Sequence, residues 1–210
     1  MDKERRVAVT GLGAITPLGN SVSETWEALK AGKNGIGEIT AFDTEKFKAK
    51  LAAEVKGFRP EDYLEVNDIL RTDRYAQFAA AAAQQAVCDS GIEGKVEAER
   101  FAVLFGTGIG GIRTFEAEYA KLLEKGPRRV SPLFIPMMIS NMACGLIAMR
   151  HDCRGGAMPA VTACASGSNA IGEAMRLIRH GYADAVITGG AEASICPSAV
   201  AGFINMQALS

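Results

Sequence analysis

The sequence predicts an α/β fold built on a mainly parallel sheet. Three observations carry this expectation. Short runs rich in Val, Ile, Phe and Ala alternate with longer helix-like stretches. Several of the apolar runs end in clusters of small residues, as in "VLFGTG", "VTACASG" and "VITGG". An alanine-rich stretch over residues 73–90 suits a helix that packs closely on a sheet or on another helix. A chain of 210 residues accommodates one large domain or two small ones.

The elements follow in order. "RRVAVTGLG" reads as a first strand ending in glycines. Ser21 or Ser23 can cap a helix through "ETWEALKAG", which Gly32 closes. Residues 33–60 read as irregular, with "FDTEKF" a short helical turn at most. Thr72 is the expected cap of the alanine-rich helix and Gly91 its end. "RFAVLFGTG" is the next strand, followed by a helix over "IRTFEAEYAKLLEKG". "PRRVSPLFIPMM" reads as a proline-punctuated loop and "SNMACGLIAMRHD" as a helix. Strand "AMPAVTA", a helix after Cys164 and strand "ADAVITGGAEA" complete the alternation.

Composition narrows the function. A net charge of −1 gives no reason to expect nucleic acid as a partner. No apolar run is long enough to span a bilayer, and "MDKERRVAVTG" has no apolar stretch of the signal-peptide kind. A cytoplasmic protein without a membrane partner is therefore expected. The five cysteines form no C-x-x-C pair and only two histidines accompany them, so neither a metal site nor a disulfide framework is expected.

Two glycine clusters resemble phosphate-binding turns. "GLGAITPLG" fails the G-x-G-x-x-G pattern at Thr16, and Pro17 follows where a helix should run. "GTGIGG" matches it, with Gly106, Gly108 and Gly111 between a strand and a helix. An NAD(P)-binding oxidoreductase is thus a competing reading. The acidic residue that a ribose would need about 20 residues on is missing from "KLLEKGPRR".

Cys164 stands apart from the other cysteines. A strand leads into it and a helix follows, which puts the thiol at a helix N-terminus, where unpaired N–H groups and the dipole favour thiolate. Small neighbours let a substrate approach, as at a nucleophile elbow, and the Cys164 N–H can face an oxyanion.

"VTACASGSNAIGEAMRLIRHGYADAVITGGAEA" resembles the active-site segment of the β-ketoacyl-[acyl-carrier-protein] synthases, and the elongating synthase II type most closely. "RRVAVTGLGAITPLGN", "GTGIGG", "PRRVSPLFIPMMISNMACG" and "AGFINMQALS" match further stations in order, from about residue 5 to residue 210. Gly156 stands where the family usually has proline.

The resemblance implies a thiolase-like layered fold with helices on both faces of the sheet. Residues 1–210 would be the first of its two halves, with the C-terminal half absent. It implies decarboxylative condensation in fatty acid elongation: Cys164 takes an acyl group as a thioester, and malonyl-carrier protein extends it. It implies no resident cofactor, because phosphopantetheine arrives on the acyl carrier protein. A homodimer paired through residues 157–163 is implied, as are two catalytic histidines in the absent half. Ile109 matches the acyl-pocket gate. Ala163, Phe134 and Phe203 match acyl-pocket positions, with Phe134 reaching in from a partner subunit. Arg128, Arg129 and Arg71 match a patch that docks the carrier protein, and Gln207 stands where arginine is frequent. A non-catalytic subunit of the same fold, or one piece of a split enzyme, is the alternative.

Overall fold

The structure is a computed structural model and describes residues 5–209. Helix α1 (Val22–Lys30) begins at Ser21, whose side chain accepts from the Glu24 N–H. Residues 33–60 hold a two-residue antiparallel pair, β1 (Gly37–Glu38) with β2 (Leu51–Ala52), and no helix forms at "FDTEKF". After the short α2 (Val66–Leu70) comes α3 (Arg74–Ser90), closed by Gly91 in the left-handed conformation. Strand β3 (Phe101–Gly106) leads to α4 (Ile112–Lys125). The stretch read as a loop contains a 3-10 turn (Pro127–Arg129) and a short helix, α5 (Phe134–Met138). Then follow α6 (Met142–Arg150), β4 (Ala157–Ala160), α7 (Ser166–Arg179), β5 (Ala185–Gly190) and α8 (Pro197–Asn205).

Strands β4, β3 and β5 form a parallel sheet in that order, with Val103 opposite both Ala157 and Ile187. Strand β3 is central and buried along its whole length, as a strand covered on both faces must be. Phe101, Val103 and Phe105 point to one face, where they pack with Tyr75, Ala79 and Ala83 of α3 and with Cys144 and Ile147 of α6. The alternate residues Ala102 and Leu104 are buried on the other face, against α7. Alanine lets α3 and α6 sit close, so the largest buried side chain there, Tyr75, still reaches the Ile139 carbonyl with its hydroxyl (2.7 Å). Arg100 and Asp184 align the starts of β3 and β5 through two guanidinium–carboxylate hydrogen bonds of 3.0 and 2.9 Å.

Two expectations are corrected. Residues 5–13 form no strand. A strand needs a neighbour for its backbone groups, and here the Leu12 and Ala14 N–H groups donate to Asp89 and Gln85 of α3. The following turn closes on itself through Thr16 and Gly19, which rules out a phosphate turn there. The second correction concerns α3, whose cap is Asp73 and not Thr72. Asp73 Oδ1 accepts from the Tyr75 N–H, whereas the Thr72 hydroxyl turns back to the Asp68 carbonyl (2.6 Å). The other Asp73 oxygen accepts from the N–H and hydroxyl of Thr114, in the first turn of α4. One buried carboxylate therefore caps two helices.

His151 ends α6 with its side chain only 2% exposed, and neither ring nitrogen makes a hydrogen bond. Burial, with Arg150 beside it, holds its pKa below the ordinary 6.5. The nearest acid, Glu93, lies 3.8 Å away and only partly opposes this.

Two outcomes are expected. Asp73→Ala should lower unfolding free energy by roughly 2–3 kcal/mol, because both caps are lost together; urea unfolding measures it, and a loss no larger than that of Thr114→Ala would deny the double role. The unfolded chain binds a proton at His151 more readily than the folded one, so stability should fall as pH drops through 6.5. The urea midpoint of His151→Leu should depend less on pH in that window than that of the parent chain.

Candidate active site

The carboxyl ends of the three parallel strands carry three loops, and in an α/β sheet such ends are where sites are built. The loop after β4 contains Cys164, that after β3 contains Ile109, and that after β5 contains Glu192.

The Cys164 loop is a sharp turn. Ala163 has φ +52°, a left-handed backbone that a residue with a Cβ rarely adopts. Ser166 holds the turn: its hydroxyl donates to the Ala163 carbonyl (2.6 Å) and accepts from the Thr162 N–H (2.9 Å). Helix α7 starts immediately afterwards, and its own cap, Ala165, offers no side chain to the first turn. Cys164 is exposed at this end. Two glycines let α7 come so close to the sheet. A Cβ on Gly106 would lie 2.3 Å from the Ser166 backbone, and one on Gly190 would lie 2.8 Å from the Gly167 Cα.

The remaining cysteines are placed differently. Cys144 lies under the sheet and donates to the Met158 carbonyl (3.2 Å). Burial raises its pKa and that of Cys196, and pushes Cys153 up to about 12. Cys88 is exposed, but it lies in the last turns of α3, where Gln84 donates to its sulfur.

In the loop over residues 107–111 the Gly108 and Ile109 N–H groups converge, as in a phosphate-binding loop. The anion they meet belongs to the chain itself. Glu192 Oε2 accepts from the Gly108 N–H (2.9 Å), the Ile109 N–H (3.1 Å) and the Thr107 hydroxyl (3.3 Å). A nucleotide phosphate would have to displace this carboxylate, which removes the geometric basis of the dinucleotide reading. Among the described residues no cluster of His, Cys, Asp and Glu is placed to hold a metal ion, and no helix is long and apolar enough to cross a membrane.

Neither histidine is near Cys164. His180 caps the far end of α7, about 20 Å along the helix at 1.5 Å per residue, and His151 is buried at the end of α6.

A model of the β-ketoacyl synthase N-terminal domain matches residues 4–210. The chain belongs to the β-ketoacyl synthase family. It is 46% identical to a 3-oxoacyl-[acyl-carrier-protein] synthase 2 of Staphylococcus aureus, with all of this chain and 51% of that protein covered. It is 48% identical to the protein of that name from Synechocystis, with 99% and 50% covered. Among solved structures it is similar to the ishigamide ketosynthase/chain length factor (TM-score 0.91, 31% identity, 99% of this chain and 52% of that one). It is also similar to a type II polyketide ketosynthase in complex with its acyl-carrier protein and bound to a hexaketide (TM-score 0.85, 27% identity, 99% and 50% covered). This β-ketoacyl synthase chain spans about half the length of the relatives it matches and corresponds to their N-terminal half.

Within this β-ketoacyl synthase half, the residues singled out from sequence separate into groups. Ala163 directly precedes Cys164, and Ile109 follows Gly108, whose backbone passes the Ala163 carbonyl (a Cβ there would lie 3.3 Å from its oxygen). Both are exposed, so they line an open surface. Phe134 opens α5 and packs its ring near Phe115 of α4 (6.1 Å between centroids). Phe203 lies half-buried on α8, whose first turn is held by Glu116 through the Ser198 N–H (3.0 Å). Arg128 and Arg129 are exposed on the 3-10 turn after α4. Buried Glu118 fixes that turn by accepting from the Ser131 N–H (2.8 Å) and pairing with Lys121, and these bonds hold its carboxyl below the usual range. Arg71 is exposed just before Thr72 and Asp73, which line a cleft with Glu118, but the arginines lining that cleft are Arg74 and Arg113.

Sequence reasoning missed Glu192, Ser166 and Gly190. The acid directly after "GG" in "VITGGAEA" was the available sign for Glu192, and it says nothing about where the carboxylate turns.

Cys164 should be the first thiol alkylated by iodoacetamide in the folded chain, with Cys88 second. Cys144, Cys153 and Cys196 should label only on unfolding. Peptide mapping after limited reaction checks the order, and Cys88 reacting ahead of Cys164 would reverse the assignment.

Proposed function

We propose that this chain is the nucleophile-bearing half of a 3-oxoacyl-[acyl-carrier-protein] synthase acting in fatty acid elongation. The observation that carries the reading is Cys164, exposed on a left-handed turn at the N-terminus of α7. In the first step the Cys164 thiolate attacks the carbonyl of an acyl thioester on the carrier protein's phosphopantetheine. A new C–S bond forms, and the pantetheine thiol leaves with a proton. The Cys164 N–H, at the head of the helix, is one donor for the developing oxyanion. In the second step malonyl-carrier protein loses carbon dioxide, and its carbanion attacks the acyl-cysteine carbonyl. Cys164 is released as thiolate and the acyl chain is two carbons longer. Proton handling and the second oxyanion donor fall to groups outside this chain, since His151 and His180 are both remote. No resident cofactor is needed.

The acidic carrier protein docks on exposed Arg128 and Arg129, together with exposed Arg71. Ile109 and Ala163 border the acyl pocket beside the thiol, and Phe134 and Phe203 complete it in the assembled enzyme. Two surfaces support that assembly. Strand β4 is an edge strand with Met158 and, just beyond it, Val161 exposed, so a second copy can pair there. On α7, Ile171 and Met175 are exposed, one turn apart, and form an apolar stripe that a complementary C-terminal half would cover. The five free cysteines favour a reducing compartment, and we place the protein in the cytoplasm.

The chain together with a complementary C-terminal half should become acylated by acyl-carrier protein. Intact-mass spectrometry should show the acyl mass on the parent chain and none on Cys164→Ala. The chain by itself should release no carbon dioxide from malonyl-carrier protein above background, because losing even one oxyanion donor costs about 10²- to 10³-fold. Turnover by the chain alone would overturn the reading. In the assembled enzyme Ile109→Gly should change the range of acyl lengths accepted, and an unchanged product profile would leave Ile109 a packing residue.

A further inference from the structure

We propose that Glu192 is a positioning residue for the Cys164 turn, acting through the loop after β3. The inference rests on the reading of Cys164 as the nucleophile. The three loops lie side by side in the order of their strands, β4, β3 and β5. The Glu192 carboxylate therefore meets the Cys164 turn by way of residues 107–110, beside the direct seating of Gly190 on Gly167 of α7.

The connection is made of short contacts. Glu192 Oε2 collects two backbone N–H groups and one hydroxyl from consecutive residues 107–109. The Thr107 hydroxyl in turn accepts from the Gly110 N–H (3.1 Å), where the backbone takes φ +78°. The base of the Glu192 loop is fixed to the same strand end, because the Ala191 N–H donates to the Gly106 carbonyl (3.0 Å). Gly108 then passes the Ala163 carbonyl so closely that a Cβ there would lie 3.3 Å from its oxygen, the group that Ser166 uses to hold the left-handed turn. Without the carboxylate, three donors in a row lose their acceptor, and the Gly108–Ile109 stretch is held only at its ends, by the Thr107 N–H on Ala160 and the Gly111 N–H on Met138. Ala163 would lose its neighbour on one side, and the turn that aims Cys164 would be free to relax. The position of Ile109 depends on the same bonds, since its own N–H is one of the three.

Three substitutions separate reach from charge. Glu192→Gln keeps an oxygen at the right distance and removes the charge. Glu192→Asp keeps the charge and withdraws it by one methylene. Glu192→Ala removes both. The experiment uses the whole 210-residue chain and measures initial iodoacetamide rates at Cys164 and Cys88, with amide exchange over residues 107–110. In the Ala and Asp variants, exchange at Gly108 and Ile109 should quicken about tenfold. Cys164 labelling in both should slow at least about threefold relative to Gln, and Gln should stay near the parent chain. Cys88, on α3, serves as the internal control and should not change. Asp behaving as the parent and Gln as Ala would show that charge matters and reach does not, and would overturn the proposal. Faster exchange with unchanged Cys164 labelling would also overturn it, by leaving Glu192 a loop anchor only. Should Ala fail to fold, Asp against Gln decides the question. If Cys164 proves not to be acylated while these rates behave as expected, the functional reading fails and the positioning role stands.

Discussion

The close approach of α7 to the ends of β3 and β5 is the constraint on which the rest of the site depends. It is possible only because Gly106 and Gly190 carry no side chain where the Ser166 and Gly167 backbone passes. Once the helix is seated there, the connection from β4 has few residues in which to turn. Ala163 is forced into the left-handed region and Cys164 emerges at the helix head. Strain at Ala163 is compensated locally by Ser166, which is buried and uses its hydroxyl both as donor and as acceptor. The exposed thiol is thus a consequence of backbone packing more than of any feature of the cysteine itself.

A second theme is the carboxylate that binds the backbone of a different element. Asp73 caps its own helix and reaches α4, Glu118 holds the turn bearing Arg128 and Arg129, and Glu192 holds the loop bearing Ile109. Glu116 does the same for α8. Helix α4 has no capping side chain of its own, and in the loop after β3 Thr107 serves only the Gly110 N–H, so acids from elsewhere in the chain take the remaining donors. Each such bond links a candidate functional segment to the rigid sheet and the helices around it. The anion-loving turn in "GTGIGG" is real, and it is satisfied from within.

Burial divides the molecule unevenly. The face of the sheet under α3 and α6 is filled by Tyr75, Ile147, Val103 and Cys144. The opposite face carries α7 alone, and that helix leaves Ile171 and Met175 in contact with water, beside exposed Met158 and Val161 at the β4 edge. Ile109 and Ala163 are likewise exposed, at the end of the sheet that carries Cys164.

The sequence by itself determined the alternation of strands and helices, because apolar period, small-residue turns and the alanine run are local properties. It also singled out Cys164, since a strand running into a helix start is visible in "AVTACASGS". It misjudged segments whose state depends on a neighbour. "RRVAVTG" has the composition of a strand, yet its continuation spends its N–H groups on Asp89 and Gln85. The sequence points to Thr72 as the cap of α3, whereas Asp73 takes that place with one oxygen and meets Thr114 of α4 with the other. Glu192 shows the same limit most clearly. Its partners are more than 80 residues away in the chain, and no local pattern tells which loop a carboxylate will meet. Tertiary structure decided that, because parallel strands bring their carboxyl ends together regardless of sequence distance.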